Sequence, residues 1–133
     1  TAAAAGVGAV LLGPGCADPW APKVLRAAMG AHFVLPLASI DDPAPWFAAR
    51  RGRVFATALA ADAVPLYALD LTAPALWLFG AEGAGVRPEW LAAADARVRI
   101  PMPGAMESLN VAAAAAVCLF EAVRQRVSAG IRA

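Results

Sequence analysis

Two short stretches of this chain combine residue types that chemistry can use. The first is Leu78-Phe79-Gly80-Ala81-Glu82-Gly83-Ala84-Gly85-Val86, which follows a strongly apolar run. Three glycines in a loop between a strand and a helix expose backbone amides and let a ligand approach the main chain closely. The spacing is not that of a dinucleotide-binding fold, so the glycines alone fit either a cofactor loop or a tight turn. Glu82 gains no packing benefit between glycines; it is either a working carboxylate or a solvated one. The second stretch is Ile100-Pro101-Met102-Pro103-Gly104, followed by Glu107-Ser108-Leu109-Asn110-Val111-Ala112. Here Ser108 and Asn110 stand at the mouth of an otherwise apolar helix. Either could cap the free amides of a first turn. One cap suffices, so the surplus of polar groups leaves a binding or catalytic role open beside the capping one.

Other chemistries find little support. The sequence has no metal-ligand spacing, no P-loop and no nucleophile triad. His32 is the only histidine and sits beside Phe33, a context that favours a packed structural ring over a general base. Trp20, Trp46, Trp77 and Trp90 could stack on bases, but they are scattered, and packing explains each of them. Cys16 and Cys118 are far apart and read as free thiols.

These residues must be held by a domain of 133 residues with a net charge of +1. That size fits one compact unit, and the charge does not by itself mark a nucleic-acid binder. Of eleven basic residues only Lys23 is a lysine, and arginine suits phosphate contacts. The apolar fraction of 61% is swollen by alanine. The longest apolar runs fall far short of the roughly 20 residues of a membrane helix, and no secretory leader opens the chain. The expectation is a soluble cytoplasmic protein.

Punctuation by Gly, Pro and Asp divides the chain into alternating elements. A helix end is expected over Thr1 to Ala5, a strand over Ala9 to Leu12, and a helix over Pro19 to Gly30 with Asp18 as its cap. A strand over Phe33 to Leu37 follows, then a helix through Trp46 to Ala49 started by Pro43 after Asp41 or Asp42. Further strands are expected at Arg53 to Leu59, Ala75 to Phe79 and Arg97 to Ile100, with helices at Pro88 to Ala94 and Glu107 to Val127. Strands that are apolar throughout, alternating with helices, imply an α/β fold: a mostly parallel sheet with helices on both faces. In the last helix, Leu109, Ala113, Ala116, Phe120, Val123 and Val127 form an apolar seam at steps of four and three. This seam would pack on the core, serve as a symmetric dimer interface, or do both on different faces.

The Phe-Gly-x-Glu-Gly-x-Gly loop, the Ile-Pro-Met-x-Gly turn and the Ser-Leu-Asn-Val-Ala helix start together resemble the signature motifs of the SpoU (TrmH-type) RNA ribose 2′-O-methyltransferases. Cys118 to Arg126 is similar to the final helix of members that act on bacterial ribosomal RNA. Thr1 to Val7, Asp18-Pro19 and Lys23 to Gly30 look like the family's first half. The resemblance runs in order along nearly the whole chain.

It implies a deep trefoil knot near the C-terminus, S-adenosylmethionine as cofactor, RNA as substrate (ribosomal rather than transfer RNA), and a homodimer through the C-terminal helix. Carried over by position, Gly80, Ile100, Met102 and Leu109 would contact the cofactor, with Thr57 and Ala58 as further contacts. Ser108 and Asn110 would orient the ribose or a neighbouring phosphate, and Glu82 would order the loops. The family's first motif, an Asn-x-Gly segment ending in an arginine that acts in deprotonating the 2′-hydroxyl, has no match here. None of Arg26, Arg50 or Arg87 occupies its position. The resemblance therefore implies a catalytic domain, residues 1–133, that begins after its own first segment. Two rival readings are a non-catalytic RNA- or cofactor-binding domain of the same fold and a flavodoxin-like nucleotide-binding domain.

Overall fold

The computed structural model describes residues 1–81, 83–106 and 108–131. Six strands and four α-helices lie along them. In order they are β1 (Val10–Leu12), α1 (Pro22–Ala28), β2 (Leu37–Ser39), α2 (Ala44–Ala49), β3 (Arg53–Thr57), β4 (Val64–Pro65), β5 (Ala75–Leu78), α3 (Pro88–Ala92), β6 (Ala96–Arg99) and α4 (Val111–Ser128). Every strand pairing is parallel, but the strands form two sheets rather than the single one expected. One is β1-β2; the other runs β4-β6-β3-β5. The chain thus leaves β5 at one edge, crosses over α3, and inserts β6 on the far side of β3. This places the carboxyl ends of β3, β5 and β6 side by side.

Within the larger sheet, apolar strands serve two faces by alternation. Phe55 points to one face, where it joins Leu66, Leu69, Leu71, Val98 and, from α4, Cys118 and Ala122. Trp77, in register with Phe55, packs there with its ring 5.0 Å away. Val54 and Ala56 point to the other face, against Phe47 of α2 and Trp90 and Leu91 of α3. Helices cover both faces of this sheet. Asp95 locks its lower edge: one carboxylate oxygen accepts the Val54 amide at 2.6 Å and the group pairs with Arg50 at 3.3 Å.

Several expected elements differ, each for a local reason. The strand expected over Phe33 to Leu37 is instead a 3-10 turn, Ala31–Phe33, with β2 beginning at Leu37. Gly30 takes a left-handed φ of 84°, and bonds from Phe33 N to Gly30 O and Val34 N to Ala31 O keep the chain turning. The helix expected from Pro19 begins only at Pro22, because Asp18 turns inward on the Trp20 amide at 2.9 Å instead of capping. Asp42, by contrast, does accept from the Ala44 amide at the start of α2. Thr1 to Ala5 forms a single hydrogen-bonded turn, closed from Ala5 N to Thr1 O. The two-residue β4 gives no periodic signal and was not expected.

The last helix corrects the seam. Its start, expected at Glu107, lies outside the described residues at that position, and α4 runs from Val111. Its packed face carries Val117, Cys118, Glu121 and Ala122. Phe120 and Val127 of the expected seam stand 45% and 64% exposed. The apolar pattern misleads here because polar side chains hold the inner face. Gln125 accepts the Leu71 amide at 2.9 Å and donates to the Leu69 carbonyl at 3.0 Å. Glu121 receives two hydrogen bonds from Arg124, at 2.8 and 2.7 Å, and one from Gln125. Arg124 holds the Glu121 carboxyl down at about 2, against an ordinary value of 4.5, despite its burial.

Candidate functional site

A cavity of about 710 Å³ opens where the carboxyl ends of β3, β5 and β6 meet the start of α4. This is the edge at which parallel α/β sheets hold ligands, and the volume lies within the range of small-molecule sites, roughly 300–1,000 Å³. Its floor is stitched across strands. Ala58 N donates to Val98 O at 2.9 Å, and the Thr57 hydroxyl donates to Leu78 O at 3.3 Å. A mixed set of apolar side chains and main-chain groups therefore sits on a base that is rigid by construction.

One wall is the glycine loop. It folds back on itself, with Gly85 N donating to Ala81 O at 2.8 Å, and Gly83 and Gly85 adopt left-handed φ values of 82° and 70°. At Gly80 a Cβ atom would overlap the backbone of Gly85 and Val86. No other residue type fits that position without opening the loop. The opposite wall comes from Ile100 and Met102 after β6 and from Leu109 and Val111 at the start of α4.

Asn110 is the N-cap of α4: its side-chain oxygen accepts from the amides of Ala112 at 2.9 Å and Ala113 at 3.4 Å. Capping is thus a real part of its role, and it leaves the positive end of an 18-residue helix dipole at the cavity. Ser108 lines the cavity two residues earlier. Eight of the nine residues expected at the site share this cavity: Thr57, Ala58, Gly80, Ile100, Met102, Ser108, Leu109 and Asn110. Glu82 lies outside the described residues. Arg99, Leu59 and Phe79 also line the cavity and were not expected there. For Arg99 the sequence offered only a charged residue near the end of an expected strand, which a solvated arginine would show equally.

The remaining candidates are occupied elsewhere. His32 Nε2 donates to the Pro19 carbonyl at 2.7 Å and its ring packs 5.0 Å from that of Trp20. Arg50 pairs with Asp95, and Arg87 lies over the ring of Trp90. Cys118 is buried and its thiol is pushed up to about 12, while Cys16 is exposed; both are free. Among the described residues no cluster of His, Cys, Asp and Glu could hold a metal, and no helix is long and apolar enough to cross a membrane.

Known proteins resemble this chain in sequence and in fold. A 23S rRNA (guanosine-2′-O-)-methyltransferase of Pseudomonas syringae pv. tomato is 42% identical over 129 residues, 95% of this chain and 51% of that protein. A tRNA (guanosine(18)-2′-O)-methyltransferase of Thermus thermophilus is 55% identical over 78 residues, 59% of this chain and 40% of that protein. Among solved structures, the AdoMet complex of the SpoU methyltransferase AviRb from Streptomyces viridochromogenes superposes with a TM-score of 0.86 at 36% identity, covering 96% of this chain and 51% of that one. The AdoMet-bound rRNA methyltransferase of Sinorhizobium meliloti gives 0.84 at 37% identity, over 92% and 48%. The chain spans about half the length of most of these relatives. The model of the SpoU rRNA Methylase family matches residues 1–120, and the chain belongs to that family.

Proposed function

We propose that this chain forms the cofactor-binding part of an RNA ribose 2′-O-methyltransferase that uses S-adenosylmethionine. The observation that carries the reading is the cavity itself: a bare-backbone glycine loop on one side, apolar side chains on the other, and a helix start between them. Those residues fit the cofactor. Adenine and a thioether chain need apolar walls, here Ile100, Met102 and Leu109, with main-chain groups at Gly80, Thr57 and Ala58 to fix orientation. When bound, the cofactor supplies an electrophilic methyl group on a good leaving thioether. The protein's task is then to align the 2′-hydroxyl and assist loss of its proton. Ser108 and Asn110 orient the ribose or a neighbouring phosphate, and Glu82 orders the surrounding loops.

Ribosomal RNA is favoured over transfer RNA, because Cys118 to Arg126 resembles the final helix of members that act on bacterial ribosomal RNA. We further place the protein in the cytoplasm, as a homodimer whose contact includes the exposed side of α4, with a trefoil knot in its C-terminal part. The insertion of β6 between β3 and β4, with α4 then bracketing the 69–73 segment, supports the knot.

Titration of the full-length protein with S-adenosylmethionine in a calorimeter tests the reading. Micromolar binding is expected, falling at least 100-fold in Gly80→Val, whose side chain would collide with Gly85 and Val86. An absence of binding in the unsubstituted protein, or binding indifferent to Gly80→Val, would overturn it. Mapping 2′-O-methyl marks in a strain lacking the gene identifies the RNA; loss of a ribosomal mark is expected, and loss of a transfer-RNA mark alone would reverse the preference.

A further inference from the structure

We infer that Arg99 is a positioning residue that receives a phosphodiester of the RNA beside the acceptor ribose. The inference rests on the methyltransferase reading and adds a residue that the family motifs did not supply.

The other described arginines of the large sheet and its helices have compensated charges or defined seats. Arg50, Arg97 and Arg124 pair with Asp95, Asp62 and Glu121. Arg126 spends its donors on the carbonyls of Leu71 and Ala73. Arg53 and Arg87 lie on the rings of Phe55 and Trp90. Arg99 differs. Its Nε donates to the Ala63 carbonyl at 3.2 Å, and among the described residues no carboxylate stands against it. Ala63 is itself buried, so the bond anchors Nε at the sheet while the terminal nitrogens keep their donors. It is also the only ionisable residue among the described ones lining the cavity.

Position selects the ligand. Arg99 ends β6 on the side of β4, whereas the glycine loop follows β5 at the opposite edge of the same sheet. The glycine loop and Arg99 thus follow from different strands, β5 and β6, separated by β3. A sulfonium centre is repelled by a guanidinium, so Arg99 is unsuited to the reacting end of the donor. A phosphodiester flanks every 2′-hydroxyl, and its paired oxygens match the arginine fork. Arg99 and the positive end of the α4 dipole would then draw the backbone in from two sides.

The test uses the full-length protein, its RNA substrate and the variants Arg99→Gln and Arg99→Lys. For Arg99→Gln the KM for RNA is expected to rise about 10-fold, with kcat changed less than about threefold. The slope of log KM against log salt should fall by about one phosphate contact, near 0.7–0.9. Affinity for S-adenosylmethionine should stay within about twofold, which also reports an intact fold. Arg99→Lys should recover the salt slope but only part of the affinity, since it keeps the charge and loses the fork. An unchanged RNA KM and salt slope in Arg99→Gln would overturn the inference. So would a fall in donor affinity with the RNA KM unchanged, which would assign Arg99 to the donor's carboxylate. If the unsubstituted protein neither binds donor nor methylates RNA, the enzyme reading fails instead, independently of Arg99.

Discussion

Asn110 carries two duties that substitution can separate. As N-cap it satisfies two amides of α4, a contribution of about 1 kcal/mol; as a cavity residue it belongs to the proposed ribose site. Aspartate caps as well as asparagine but brings a negative charge to a place where RNA would approach. Asn110→Asp should therefore keep the urea midpoint nearly unchanged while lowering turnover 10-fold or more. Asn110→Ala should lose both stability and turnover. Equal activity in Asn110→Asp and the unsubstituted protein would reduce the residue to a cap. The motif around Asn110 was legible because polar residues at the mouth of an apolar helix stand out. Arg99 was not, since an arginine at a strand end is indistinguishable in sequence from a solvated one until the neighbouring carbonyl and the missing carboxylate are seen.

At the level of elements, the alternation of helix and strand was readable, whereas several boundaries and one helix face were not. The 3-10 turn at Ala31–Phe33 replaces a strand because a left-handed glycine precedes it, and conformation at a glycine is not encoded by side-chain pattern. The inner face of α4 escaped because Glu121 and Gln125 look like surface residues until their partners are known. That face gives a pH test. The Glu121 carboxyl is held near 2 by Arg124 and would return to about 4.5 on unfolding, so its stabilisation is full above the unfolded value and fades as pH falls between the two. Asp95 acts in the same sense: the Val54 amide, aided by Arg50, lowers it from 3.8. Urea midpoints should drop through this acid window. Glu121→Gln should flatten that decline at a cost of about 1 kcal/mol near neutrality, discounted because Arg124 is largely solvated. A decline of unchanged steepness would show that other carboxylates dominate. Asp95→Ala, which strips the buried Val54 amide of its acceptor, should cost about 2 kcal/mol.

For the whole molecule, the exposed side of α4 bears on assembly. Phe120 and Val127 present apolar area that the monomer leaves in water. If that side is the homodimer contact, Phe120→Asp should weaken dimerisation at least 30-fold, as loss of a buried aromatic anchor does. Light scattering on the full-length protein would record a shift to monomer. An unaltered dimer would place the contact elsewhere. Such a surface cannot be told from a core seam in sequence, because both are written as the same periodic apolar residues.

The Gln125 bracket gives the 69–71 segment the two-way pairing that a neighbouring strand normally provides, although the segment belongs to no sheet. The Leu71 amide proton should therefore exchange with deuterated solvent as slowly as those of the strands, and at a rate set by undocking of the terminal helix. In Gln125→Ala the Leu71 amide should exchange orders of magnitude faster while β3 stays protected. The end of the chain would in that way act as a clasp on its middle.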